Sequence, residues 1–322
     1  MRRFACPVCE AEVFFDSLSC LACGTDLAYA PHPGRLVALD VPCANREAIG
    51  CNWRAEDGGL CASCALTETI PDLAVPGNRH RWGRIEEAKR RLLYSVLRLG
   101  LPLQSQAGHR LTFRLLGDEV RADGSVKHVL TGHEDGVVTL NIAEADDPVR
   151  EALRVEMGEP YRTLLGHFRH EVGHFYQEAL VDEAGLGPDF AALFGDPAQD
   201  YAEALRRHYA QGAPAGWEDA HVSAYAASHP WEDWAETFAH WLHMTDGLET
   251  AARYGLAPDL DPYGGPPIER LTEAWVPLSI AMNAMNRAMG QADFYPFVLA
   301  PRVVGKLAFV HRAASPELRA AA

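Results

Sequence analysis

All eight cysteines of this 322-residue chain fall between Cys6 and Cys64, and the remaining four-fifths of the sequence has none. That confinement divides the chain into two parts that must be held together by different means. A region of roughly 70 residues rich in Pro, Gly and polar groups buries too little apolar surface to stand alone, and regions that small are usually stapled. Cys6-Pro7-Val8-Cys9 and Cys20-Leu21-Ala22-Cys23 are two CxxC knuckles separated by ten residues, the spacing of a tetrahedral four-thiolate zinc ribbon, with Gly24 relieving the backbone after the second turn. Cys43, Cys51 and the pair Cys61-Ala62-Ser63-Cys64 supply four more thiols with a single knuckle among them. These read as a second structural zinc site; the competing reading makes Cys43 and Cys51 small buried hydrophobes and Cys61/Cys64 a redox pair. In a reducing compartment, metal is favoured over disulfides.

Composition bounds the rest. With 48% hydrophobic and 23% charged residues the chain is of ordinary globular type, and its length suggests two domains. A boundary is expected where Ile70-Pro71-Asp72 and Pro76-Gly77-Asn78 interrupt any regular element, giving a cysteine-rich domain over 1–75 and a second domain over 76–322. No apolar run approaches the ~18 residues of a membrane span. No apolar leader precedes Cys6, so a cytoplasmic protein without membrane contact is expected. The formal net charge of -15 argues against nucleic acid as a partner. Residues 1–75 hold five Arg and no Lys against ten Asp plus Glu, so the ribbon is expected to serve as scaffold or protein contact.

Periodicity predicts a helix over Ile85–Leu99, strands over Leu111–Leu116, Val126–Leu130 and Gly136–Ile142, and then helices almost throughout. The predicted helical spans are Pro148–Met157, Tyr161–Val181, Ala198–Ala210, Trp217–Ala226, Pro230–Tyr254 and Ile268–Met289, with a last helix from near Pro301. The fold class is α+β: a small twisted sheet followed by a helical subdomain.

Within the helical span over Tyr161–Val181 lies His170-Glu171-Val172-Gly173-His174. Residues four apart on an α-helix point the same way one turn apart, so the two imidazoles can hold one zinc ion. Glu171 beside them is placed to act as general base toward a water attacking a carbonyl. The flanking Phe168, Val172, Phe175 and Tyr176 make a merely solvated histidine face a poor rival. A catalytic zinc needs a third protein ligand. No histidine follows in Gln177–Leu186, and the candidates lie downstream, where Pro230 opens a helix carrying Glu232 and Glu236 one turn apart.

From Tyr225 through Glu232-Asp233-Trp234-Ala235-Glu236-Thr237-Phe238, the chain resembles the anthrax lethal factor-like zinc peptidases, in which an HExGH helix is followed by a Tyr and, seven positions later, a Glu. The resemblance covers residues 165–245. It implies a zincin-like catalytic domain of gluzincin type, with Glu232 as the third zinc ligand and Tyr225 as stabiliser of the developing oxyanion. The residues by themselves leave two alternatives open. Glu232 could cap its helix, leaving Glu236 as ligand, or Glu236 could instead hold a ligand histidine by its free N–H. The whole chain is also similar to a bacterial family of zinc-binding metallopeptidases with an N-terminal zinc ribbon, on the strength of the ribbon, Cys51-Asn52-Trp53 and Ile70-Pro71-Asp72.

His167, His229, His240 and His243 are expected to be packed or supporting residues, and Asp182 and Glu183 to be solvated. The strand over Gly136–Ile142 is expected to be an edge that could hold extended substrate. The sequence therefore predicts a peptidase acting on peptide or protein substrates with three zinc ions, one catalytic and two structural. The alternative from another class is a non-catalytic, zinc-stabilised interaction module. A DNA-associated protease resembling the SprT-like enzymes would need a basic face that the sequence lacks.

Overall fold

The computed structural model describes residues 1–121 and 123–316. Its architecture is α+β, and packing divides it into two compact units, one of residues 1–98 with 110–153 and the other of residues 99–109 with 154 onward.

The first unit begins with two short antiparallel hairpins, β1 (Phe4–Ala5) with β2 (Glu12–Val13) and β3 (Leu27–Ala30) with β4 (Arg35–Ala38). A one-turn helix α1 (Arg46–Ile49) and the strand β5 (Thr67–Thr69) lead to the long helix α2 (Asn78–Arg98). Strands β6 (Thr112–Leu116), β7 (Glu119–Val120), β8 (Val126–Lys127), β9 (Gly132–Glu134) and β10 (Val137–Asn141) complete the unit, and α3 (Asp147–Glu156) follows. The main sheet has the order β5-β6-β10-β9, with β5 and β10 parallel to β6 and β9 antiparallel to β10.

Two strand expectations change here, and packing groups the residues about the expected boundary differently. The packing division does not run at residue 75, because β5 pairs with β6 and because Tyr94 of α2 completes an aromatic core with Phe15 and Tyr29, at centroid distances of 5.4 and 5.9 Å. Trp53, wholly buried, closes that core against Tyr29 at 5.3 Å. The strand over Gly136–Ile142 is interior to the sheet: β10 is paired on both sides, so β9 takes the edge. The strand predicted over Val126–Leu130 stops at Lys127, since the Val129 N–H donates to Asp118 Oδ1 at 2.9 Å and turns the chain away. Beneath the sheet, Lys89 and Glu86 form a fully buried ion pair of 2.9 Å, and Thr67 donates to Glu86 Oε1 at 2.6 Å, so the charges meet polar partners and not hydrocarbon.

The second unit is helical: α4 (Leu164–Gln177), α5 (Gly187–Phe194), α6 (Tyr201–Gln211), α7 (Pro230–Arg253), α8 (Ile268–Ala288) and α9 (Pro301–Ala313). The Thr163 side chain accepts from Gly166 N and starts α4, and a π-helical turn over Glu178–Asp182 carries it on. α4 packs against α7 in opposite directions. Going back along α4 from Gly173 to His170 to Arg169, the partners on α7 advance from Ala235 to Glu236 to His243 and Asp246. The helix predicted over Trp217–Ala226 is two 3-10 turns, Trp217–Asp219 and Tyr225–Ala227. Its continuity is broken where Ser223 Oγ accepts from Ala226 N at 3.1 Å, so a side chain and not the backbone sets the second turn. α5, opened by Pro188, was not expected from the sequence.

Candidate functional site

The antiparallel seam of α4 and α7 brings two pairs of side chains, each pair one helical turn apart, face to face. From α4 come His170 and His174, their ring centroids 5.0 Å apart; from α7 come Glu232 and Glu236. The seam can be this tight because Gly173 has no side chain: a Cβ there would meet Ala235 Cα at 2.9 Å and Ala235 O at 3.2 Å. Trp234 fastens it from the other helix, donating its indole N–H to Gly173 O at 2.7 Å.

The two glutamates take different places. Glu232 Oε2 lies 3.0 Å from His170 Nε2 and 3.6 Å from His174 Nε2. Glu236 Oε1 instead lies 2.8 Å from the other nitrogen of His170, Nδ1, while Ser223 Oγ donates to Glu236 Oε2 at 2.6 Å. Donation from His170 Nδ1–H to Glu236 leaves a lone pair on Nε2 of the neutral ring, aimed at a carboxylate oxygen. Glu232 Oε2 is buried and accepts no hydrogen bond. Lone pairs gathered about one point in a buried site call for a cation. One donor atom from each of His170, His174 and Glu232 lies within 4.8 Å of the others. Tetrahedral zinc with bonds of about 2.0–2.1 Å sets its ligand atoms about 3.3 Å apart, which the two short distances bracket, so the donor set fits zinc.

Burial disfavours the charged form of His170, but Glu232 and Glu236 beside it outweigh that and raise its pKa well above the usual histidine value, so its surroundings favour positive charge at this point. Glu236 is pushed up by burial and pulled down further by His170, to about 2. Glu171, buried on the same turn as His170, would also be raised by burial. His167 Nε2 at 3.1 Å from its Oε1, with the charges of His170 and His174, holds it below the usual carboxylate range, so it stands ionised. Tyr225, in the second 3-10 turn, has its ring 5.8 Å from that of His170, and burial, with Glu232 next in effect, raises its phenol so that the O–H is retained.

The remaining histidines do other work. His229 caps α7, accepting from Trp231 N at 3.1 Å; His240 Nδ1 meets Tyr295 Oη at 2.7 Å; His243 Nδ1 lies 2.6 Å from Arg169 Nη1. Asp182 is paired with Gln177, and Glu183 accepts the backbone N–H groups of Gln106 and Ala107 at 2.8 and 2.7 Å. Two residues that sequence reading missed touch the site: Ser223, through Glu236, and Tyr201 of α6, whose hydroxyl donates to Glu232 Oε1 at 2.7 Å. No local pattern marks either, since their partners are 13 and 31 residues away.

In the first unit the cysteines gather as two sets of four, Cys6, Cys9, Cys20 and Cys23, and Cys43, Cys51, Cys61 and Cys64. The sulfurs of Cys6 and Cys23 are 3.7 Å apart, those of Cys9 and Cys20 3.6 Å, and Cys51 lies 3.7 Å from both Cys61 and Cys64. A disulfide would need about 2.05 Å. Four thiolates about 2.3 Å from a tetrahedral zinc lie about 3.8 Å apart, so both sets fit the ion. Cys43 also accepts from Cys61 N at 3.3 Å, which favours its thiolate. Among the described residues no helix is long and apolar enough to cross a membrane.

Comparison with known proteins gives two family-model matches separated between residues 42 and 78, the second taking in parts of both packing units. Residues 3–42 match a zinc-ribbon domain model. Uncharacterized proteins of Mycobacterium bovis and Mycobacterium tuberculosis are each 44% identical over 330 residues, covering 97% of this chain and 94% of theirs. No solved structure gives a significant match. Residues 78–313, which include His170, His174 and Glu232, match the family model described as "Putative zinc-binding metallo-peptidase", and the chain belongs to that family.

Proposed function

We propose that the chain is a zinc-dependent peptidase of the gluzincin type, in which His170, His174 and Glu232 hold the catalytic ion and Glu171 is the general base. The observation that carries this reading is the buried Glu232 Oε2, without a hydrogen bond and facing the Nε2 atoms of both histidines. A zinc ion held there would supply Lewis acidity toward the scissile carbonyl and would lower the pKa of water. Glu171, ionised beside His167, takes the proton of the attacking water on a carboxylate oxygen and returns it to the leaving amine. Tyr225 retains its O–H and offers it to the oxygen on which negative charge develops. Glu236 holds His170 by Nδ1, fixing the tautomer that leaves Nε2 as a ligand atom. The two cysteine sets hold structural zinc, for three ions per chain.

Glu171→Gln tests the reading. The variant should keep three zinc ions by metal analysis and lose hydrolysis of a mixed peptide library, by at least 10²-fold given the usual contribution of a positioned base. Undiminished hydrolysis would remove Glu171 from the mechanism. A native chain with three zinc ions and no turnover of any peptide would favour a non-catalytic, zinc-held interaction module.

A further inference from the structure

We infer that Tyr201 is a positioning residue of the metal site, fixing Glu232 as a ligand through one oxygen only. The inference rests on Glu232 being a zinc ligand and adds what decides how it binds. A carboxylate has two equivalent oxygens and can engage a cation through either or both. At Glu232 they are not equivalent. Oε1 accepts the Tyr201 hydroxyl at 2.7 Å, while Oε2 alone faces His170 and His174.

The phenol is itself held. Tyr201 is the first residue of α6, behind Asp200, whose side chain accepts from Glu203 N at 3.0 Å. Its ring lies 5.2 Å from that of His229 and 5.7 Å from that of Trp231, the two residues flanking Pro230 at the start of α7. Glu232 is 1% exposed, so no bulk water replaces the Tyr201 hydroxyl once it is gone. With Tyr201 in place, Oε1 is occupied and only Oε2 is offered toward the histidines. Without it, the carboxylate is free to turn and offer both oxygens.

Tyr201→Phe tests this, since it removes one oxygen and leaves the ring packed. Competition with a chelator should show zinc bound at the His170/His174/Glu232 site 10- to 100-fold more weakly, the usual range for losing a partner of a metal ligand. The two cysteine sites should hold their zinc unchanged, and circular dichroism should show the helical unit folded. With cobalt(II) at the histidine site, the visible absorption should weaken and shift as the carboxylate becomes bidentate. Native zinc affinity together with an unchanged cobalt spectrum would overturn the inference. Should Tyr201→Phe not fold, Tyr201→Met fills similar space without a hydroxyl and is read in the same way. Glu232→Ala separates the two levels of argument. If it retains the third zinc ion, Glu232 is not a ligand and the underlying reading fails; if it loses that ion while Tyr201→Phe behaves as native, only the role of Tyr201 falls.

Discussion

The indole N–H of Trp234 donates to the carbonyl of Gly173, one residue before His174 and two residues after Glu232 on their respective helices. The seam is thus pinned at the level of His174 and Glu232, and the spacing of the two helices sets whether the three donor atoms of His170, His174 and Glu232 can meet.

Gly173→Ala tests that spacing. In an ordinary helix the change would add about 1 kcal/mol of helix propensity. Here the new Cβ would stand 2.9 Å from Ala235 Cα and 3.2 Å from its carbonyl oxygen, and backbone atoms cannot rotate away. Overpacking of this kind costs about 1–3 kcal/mol, so the clash wins. The variant is expected to unfold at a lower temperature and to retain two zinc ions per chain by metal analysis; a native melting point with three ions would show that the seam can widen freely.

Glu236→Gln keeps the shape of the side chain and removes its charge beside His170 Nδ1. Zinc affinity at the histidine site should fall 10- to 100-fold while the helical fold, read by circular dichroism, is unchanged. Loss of the third ion at every zinc concentration would instead make Glu236 a ligand in its own right.

Acid should weaken the helical unit through His240. Burial holds this histidine neutral, with its pKa lowered from 6.5 to about 4, and Tyr295 fills the place beside its Nδ1. Because the folded pKa lies below the unfolded one, the stabilisation is complete above pH 6.5 and is lost as the pH falls from there toward 4. The full loss amounts to roughly 3 kcal/mol at 1.36 kcal/mol per pKa unit. Denaturant unfolding of His240→Gln at pH 4 to 7 should show a correspondingly flatter dependence than the native chain, and parallel curves would assign the acid sensitivity to other groups.

The two cysteine sets should release metal at different rates. Cys9 and Cys23 are exposed, whereas Cys43, Cys51, Cys61 and Cys64 are all buried. A thiol-reactive reagent or chelator reaches the first set directly and the second only after local opening. Zinc release followed by a coloured chelator should be biphasic, with the fast phase abolished in Cys9→Ser; release from the buried set first would refute the ordering.

Much of the site was legible in the sequence because helical periodicity is local. His170 and His174 on one face, and Glu232 and Glu236 on one face, follow from spacing alone, as do the two sets of cysteines. What the residues alone left open was which glutamate meets which nitrogen, since both lie on the same face of α7 and only the docking of α4 separates their partners. Tyr201 and Ser223 were invisible for the same reason: a hydrogen bond across 31 or 13 residues leaves no period in the chain. The sheet was misread where pairing and not pattern decides the outcome. Alternation in β10 marks a strand, with Val138 and Leu140 wholly buried, but its place in the order β5-β6-β10-β9 depends on neighbours contributed from residues 112 and 132.

The shared core of the first unit carries a final consequence. Phe15, Tyr29 and Trp53 close over Tyr94 of α2, and β5 forms one border of the sheet that contains β6. A chain shortened to begin at residue 76 would bare an aromatic surface and an unpaired strand edge, both of them invitations to aggregate. The cysteine region is therefore a keel for the residues that follow it, and its metal content bears on whether the shared sheet and α2 can stand.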